Sequence, residues 1–152
     1  MKDFVPFLIR AKQHTYAAGG AVVASSRPHS KDLRYAEGSY LYLDTYLGDE
    51  DFIGEEAVWQ DELPIWGMNY YGWMKAGEIP DGFSECLKGA LMAVPEEAPF
   101  RGPAEFRRGE FVYRCEWQGE VMRFAGREEI LHRNVSIYEL VFHGGAVRSF
   151  SA

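Results

Sequence analysis

Apolar positions recur along this chain with two periods. Phe4, Phe7, Leu8 and Ala11 fall at i, i+3, i+4 and i+7, the single face of an amphipathic helix. Asp3 is placed to cap that helix, Pro6 suits its first turn, and the Gly19-Gly20 pair predicts its end. A polar loop with Ser25, Ser26, Arg27 and Pro28 follows. The period then becomes two. Gly38 precedes SYLYLDTY, LGDED reads as a turn, and FIGEEAVW completes a hairpin. PIWGMNYYG, bounded by Pro64 and Gly72 and crowded with aromatics, predicts a third strand. The helical period returns at Phe83, Cys86, Leu87, Ala90, Leu91 and Val94, with Asp81 as its opening residue and Pro95 and Pro99 as its stop. The last third predicts strands again, at GEFVYRCEW, GEVMRFAG, REEIL and SIYELVFHGG, with a tight turn at Gly119.

The two stretches of strands match each other. A shift of 71 residues carries Gly38, Tyr40, Tyr42, Tyr46 and Gly48 onto Gly109, Phe111, Tyr113, Trp117 and Gly119. A shift of 72 carries Phe52, Gly54, Glu56 and Val58 onto Phe124, Gly126, Glu128 and Ile130. The same shift carries Ile65, Trp66, Met68, Tyr70 and Gly72 onto Ile137, Tyr138, Leu140, Phe142 and Gly144. The helices follow in order, Phe4, Leu8 and Ala11 matching Phe83, Leu87 and Ala90. The chain therefore reads as one α+β domain, 1–152, built from two α-β-β-β pseudo-repeats at about 3–73 and 81–148. The expected architecture is one antiparallel sheet with both helices on one face.

Strand alternation then sorts faces. Trp66, Met68 and Tyr70 share the core face, as do their mates. Asp44 stands in an aromatic row with Tyr40, Tyr42 and Tyr46, opposite mates that include Tyr113. Glu56 and Glu128 lie on the apolar faces of their strands. A carboxylate aimed inward is costly unless partnered, and such groups mark sites. A central glutamate flanked by Tyr42, Tyr70, Trp66 and Tyr113 suits a cationic or polar-headed ligand, because aromatic faces attract cations. Tyr42, Asp44, Glu56, Trp66, Tyr70, Tyr113 and Glu128 are thus the candidate ligand-binding residues, Glu56 and Glu128 facing one another across a pseudo-twofold axis.

Composition narrows the classes. At 152 residues, 47% hydrophobic and 26% charged, the chain suits one ordinary globular core. A net charge of −7 excludes phosphate-backbone binding as the main role, so no nucleic-acid partner is expected. Nine carboxylates and no Lys or Arg lie between Arg34 and Lys75, a pattern of solvated turns, with Arg27 expected to pair with them. His14, His29 and His132 lack ligand spacing, so neither a metal nor a cofactor is expected. No apolar run approaches the ~20 residues of a membrane span, and the first residues predict no signal peptide. With Cys86 and Cys115 read as reduced core residues, a cytoplasmic location follows.

The runs FLIRAKQHTYA, SSRPHSKDLRY, GSYLYLDTYLG, FIGEEAVW and PIWGMNYYG resemble an uncharacterised bacterial family, a domain of unknown function that also occurs behind Cro-type helix-turn-helix regulators. This chain resembles the standalone form, and the resemblance implies a sensing role. In architecture alone it is similar to the bacterial effector-binding, gyrase-inhibitor-like domains, where a cleft between repeats holds small molecules near a glutamate. The leading expectation is small-molecule binding in an aromatic-lined cleft between the halves. An enzyme using Glu56 with Glu128, or Glu56 with His143, is the second expectation. The third is an acidic interaction or inhibitor module built on the stretch from Glu37 to Glu62.

Overall fold

The computed structural model describes residues 3–17 and 22–148. Helix α1 (Phe4–Ala17) is followed by β1 (Val22–Val23), β2 (Lys31–Glu37), β3 (Tyr40–Gly48), β4 (Phe52–Gln60) and β5 (Leu63–Met74). Helix α2 (Phe83–Met92) then leads into β6 (Glu105–Arg108), β7 (Phe111–Glu120), β8 (Arg123–His132) and β9 (Val135–Ala146). The fold is α+β. All nine strands form one antiparallel sheet, in the order β1-β2-β3-β4-β5-β9-β8-β7-β6. The order is nearly palindromic, and β5 and β9 meet at its centre with Tyr70 opposite Phe142.

Each helix forms where the apolar stripe predicts it. Phe4, Phe7, Leu8 and Ala11 are buried, and so are Phe83, Cys86, Ala90 and Leu91. The Phe7 N–H donates to the Asp3 carbonyl, closing the first turn of α1. In α2 the cap is Gly82, whose φ of 95° suits glycine, and not Asp81. The expected helix end at Gly19-Gly20 lies outside the described residues. The helices pack against each other, α1 also against β2 and β3, and α2 against β6 and β7. Both cover one face of the sheet. That face presents Tyr42, Val58, Trp66, Met68, Tyr113, Ile130, Tyr138 and Leu140 in one core cluster with the helical stripes. Burying one such side chain stabilises the fold by about 1.5–3 kcal/mol.

The strand count corrects the sequence reading. Where three strands per half were expected, the first half has two more before its hairpin, the short β1 and β2, and the second half has one more, β6. In β2 the alternation runs through Leu33 and Tyr35 but is masked by Lys31, Arg34 and Glu37. In β6 it is carried by Phe106 alone among Glu105, Arg107 and Arg108. Polar residues on strands near a sheet edge discourage pairing with other chains, and they also hide the strand. The second correction concerns β8, which runs unbroken through the segment read as two strands. Gly119 lies inside β7, not at the turn beyond it.

Backbone features recur at the sequence offsets. Gly38 and Gly109 have φ of 58° and 57°, and Gly48 and Gly119 have 91° and 89°. Asp61 and Glu62 (48°, 69°) correspond to Arg133 and Asn134 (49°, 66°). The β4–β5 register shifts at Val58/Trp59 and the β8–β9 register at Ile130/Leu131.

Candidate functional site

Alternation puts Asp44, Glu56 and Glu128 on the helix-covered face, where each is at most 1% exposed. Helix α1 continues its apolar stripe with Lys12, and the loop after α2 delivers Arg101; both are buried too. Lys12 Nζ forms an ion pair with Glu56 and donates to the Phe100 carbonyl at 2.8 Å. Arg101 grips Glu128 with two donors, Nε to Oε2 at 3.1 Å and Nη2 to Oε1 at 2.7 Å. Tyr113 and Tyr138 hydroxyls also donate to Glu128, at 2.6 and 2.9 Å. Tyr16 joins the two systems: its hydroxyl donates to Glu56 at 3.5 Å and accepts from Arg101 Nη1 at 3.2 Å. The two glutamates are therefore linked through Tyr16 and Arg101.

Asp44 is held differently. It accepts one hydrogen bond, from the Tyr70 hydroxyl to Oδ1 at 2.6 Å, and it has no ion-pair partner among the described residues. Burial raises its pKa from the ordinary carboxylate value to about 7; the Glu56 charge adds to the rise, while the Tyr70 hydrogen bond, Lys12 and Arg101 oppose it. Burial likewise pulls Lys12 below its usual value, with Glu56 opposing. Burial alone would lower Arg101, but Glu128 outweighs it and holds the guanidinium well above its ordinary value. The Tyr42 hydroxyl is buried with no hydrogen-bond partner among the described residues.

A cleft of about 370 Å³ opens beside Asp44. Thr15 and Tyr16 of α1 line one side, and Leu87, Lys88 and Leu91 of α2 line another. The sheet contributes Asp44, Tyr46, Phe52 and Tyr70, and Arg101 closes the inner end. Phe52 lies edge-on to Tyr70, with ring centroids 6.1 Å apart, and the Arg101 guanidinium sits over the Tyr70 ring at 5.5 Å.

Of the seven residues singled out in the sequence, Asp44 and Tyr70 line this cleft. Glu56 and Glu128 stand behind it in the charge network. Tyr113 orients Glu128 and accepts the Gly102 N–H at 2.8 Å. Trp66 and Tyr42 are core, Trp66 donating to the Val121 carbonyl at 2.8 Å. His143 lies on the opposite sheet face from Glu56, since its neighbour Phe142 is the buried one. Arg27, expected to pair with acids, donates instead to Thr45, to its hydroxyl at 3.1 Å and its carbonyl at 3.4 Å. Sequence reasoning missed Lys12, Tyr16, Arg101 and Tyr138. Lys12 had a readable signal: it falls at i+8 from Phe4 and i+4 from Leu8, a lysine on an apolar stripe.

Fold and cleft together define an α+β domain with a charged network buried behind an aromatic pocket. The family model of a domain of unknown function, DUF5680, matches residues 44–147, and the chain belongs to that family. Neither the curated proteins nor the solved structures give a match. Among the described residues, no helix is long and apolar enough to cross a membrane.

Proposed function

We propose that this domain binds a small molecule, in the manner of an effector-sensing module, in the cleft between α1, α2 and strands β3–β5. The observation that carries this reading is Asp44. It is a carboxylate in the wall of an aromatic cleft, with one hydrogen bond and no cation of its own among the described residues. Charge counting points the same way. The network holds three carboxylates, Asp44, Glu56 and Glu128, against two cations, Lys12 and Arg101. The further buried carboxylate, Asp32, is satisfied separately by Ser26, Ser30 and Thr45. A ligand bringing a positive or hydrogen-bond-donating group to Asp44 completes the balance. The volume falls at the small end of ligand sites.

The reading includes an internal duplication of units at about 3–73 and 81–148. The palindromic strand order and the paired left-handed residues support it. A bacterial, cytoplasmic setting and a kinship with effector-binding domains belong to the same proposal. Acid–base chemistry by Glu56 and Glu128 would first require freeing both from their cations, so binding is the better-supported role.

A thermal-shift screen of metabolites, cationic dyes and divalent metals tests it. A ligand at 100 times its dissociation constant adds about 2.7 kcal/mol, which raises the midpoint of a chain this size by roughly 5–10 °C. The expected hit is lost in Asp44→Asn and kept in Glu50→Gln. A cooperative melt with no hit rejects the reading and moves weight to a partner of the exposed acidic turns, Asp49 to Asp51 and Asp61 to Glu62.

A further inference from the structure

The cleft has a counterpart in the other half of the molecule, and that counterpart is full. The sequence offsets carry Asp44, Tyr46, Phe52 and Tyr70 of the cleft onto Cys115, Trp117, Phe124 and Phe142. Aromatic packing around the two phenylalanines agrees. Phe52 meets Tyr70 at 6.1 Å and Tyr138 at 6.3 Å with an interplanar angle of 17°. Phe124 meets Phe142 at 6.2 Å and Trp66 at 5.7 Å with an angle of 22°. Each phenylalanine also covers a glycine of the central pair: Phe52 lies over Gly72, and Phe124 over Gly144.

One contact breaks the correspondence. The ring of Phe100 lies flat on Phe124, centroids 3.9 Å apart and planes within 15°. Phe100 is buried, 6.1 Å from Phe142, and its carbonyl accepts from Lys12. Lys12 matches Leu91 of α2 under the helix offset, and Leu91 lines the cleft. Phe52 lines the cleft, and among the described residues its aromatic partners are Tyr70 and Tyr138, with no ring stacked on it as Phe100 is on Phe124. Among the described residues, the chain thus supplies in one half a ring that it does not supply in the other.

We propose, resting on the binding reading above, that the cleft takes an aromatic cation: a planar ring stacked on Phe52 as Phe100 stacks on Phe124, carrying a protonated nitrogen that reaches Asp44. The replacement of Cys115 by Asp44 at matching positions supplies the polar end. Position 115 is a neutral thiol and position 44 a carboxylate, so a ring bound beside Asp44 calls for a positive end that Phe100 does without. Stacked aromatic pairs and charge-assisted hydrogen bonds both reward this combination.

Three probes separate the parts of the proposal. Tryptamine carries ring and charge, 2-cyclohexylethylamine carries charge without a planar ring, and tryptophol carries the ring without charge. Isothermal titration is expected to rank tryptamine above each of the others by about tenfold. Phe52→Leu is expected to weaken tryptamine by about fivefold to tenfold and leave the cyclohexyl amine unchanged. Asp44→Asn is expected to bring tryptamine down to the level of tryptophol. In the unmodified protein, bound tryptamine should show indole-to-Phe52 ring NOEs, a readout independent of any variant's folding. Equal binding of the two amines, or NOEs to the open sheet face, overturns the stacked ring while leaving the cleft reading standing. Equal binding of tryptamine and tryptophol overturns the cation. Binding of none of the three overturns the proposal, and the metabolite screen then decides the cleft reading separately.

Discussion

Asp44 is where the fold and a binding role pull against each other. The groups facing it are Tyr70 from β5, Glu56 from β4, Lys12 from α1 and Arg101 from the loop after α2. Its carboxyl titrates near 7 in the folded chain against the ordinary 3.8. The folded state therefore holds a proton that the unfolded state releases, and stability contributed at this site is present below pH 4 and lost as pH rises toward 7. Asp44→Asn keeps an acceptor for Tyr70 and removes the titration. The variant is expected to match the wild type at pH 5 more closely than at pH 8, where it should be the more stable by about 2–4 kcal/mol. Urea unfolding at the two pH values checks this, and a difference that does not change with pH rejects it. The Lys12–Glu56 pair behaves in the opposite sense. Lys12→Met strands a buried carboxylate and should cost about 3–5 kcal/mol, whereas Lys12→Met with Glu56→Leu should recover most of that loss. A double-mutant cycle in urea measures both.

At the scale of elements, glycines explain what the sequence conceals. Read alone, Gly126 looks like a break between two strands, although its counterpart Gly54 reads as part of one. In the structure they are sockets: a Cβ on Gly54 would lie 2.3 Å from the Tyr70 hydroxyl, and one on Gly126 would lie 2.3 Å from the Phe142 ring. A cross-strand ring fills the space of the missing side chain, so β8 continues where turn chemistry suggested a stop. Long aromatic strands and both helical stripes were legible because their periods are strong. The strands β2 and β6 were not, since charged residues obscure the period. Asp44 and Glu56 were legible as inward carboxylates by alternation alone. Arg101 was not, because it sits in an irregular loop whose direction no period fixes. Gly144 tests the socket idea at the central seam. A Cβ there would lie 2.2 Å from the Gly67 carbonyl and 2.8 Å from the Phe124 ring. Gly144→Ala should destabilise by about 1–3 kcal/mol or more, whereas Gly77→Ala, with open space around it, should cost almost nothing. Thermal melts of the two variants side by side make the comparison.

The whole molecule reads as a near-symmetric sheet made asymmetric by one loop. Under the proposed repeat relation the offset of 72 places Tyr70 on Phe142, and these two residues face each other in the central register, so the pseudo-twofold axis passes between them. Cavities on either side of that axis should be alike, and the loop carrying Phe100 and Arg101 makes them differ. Removing the Phe100 ring should therefore recreate in the second half what the first half already has. Phe100→Ala is expected to cost about 3–5 kcal/mol, the range for deleting a buried aromatic ring. The new space is bordered by Phe124 and Phe142, and the position matching Asp44 is Cys115, not a carboxylate, so it should accept a neutral ring better than a cation. Indole at 100 times its dissociation constant would then restore about 2.7 kcal/mol to Phe100→Ala. Tryptamine should give that site less, and indole should stabilise the wild type less than it stabilises the variant. Urea titrations with and without each compound measure the difference. If indole stabilises wild type and variant equally, the ring of Phe100 fills no ligand-shaped space, and the correspondence between the two clefts is lost with it. If it rescues the variant alone, one fold has used one cavity twice, closed by its own side chain in one half and left open beside a carboxylate in the other.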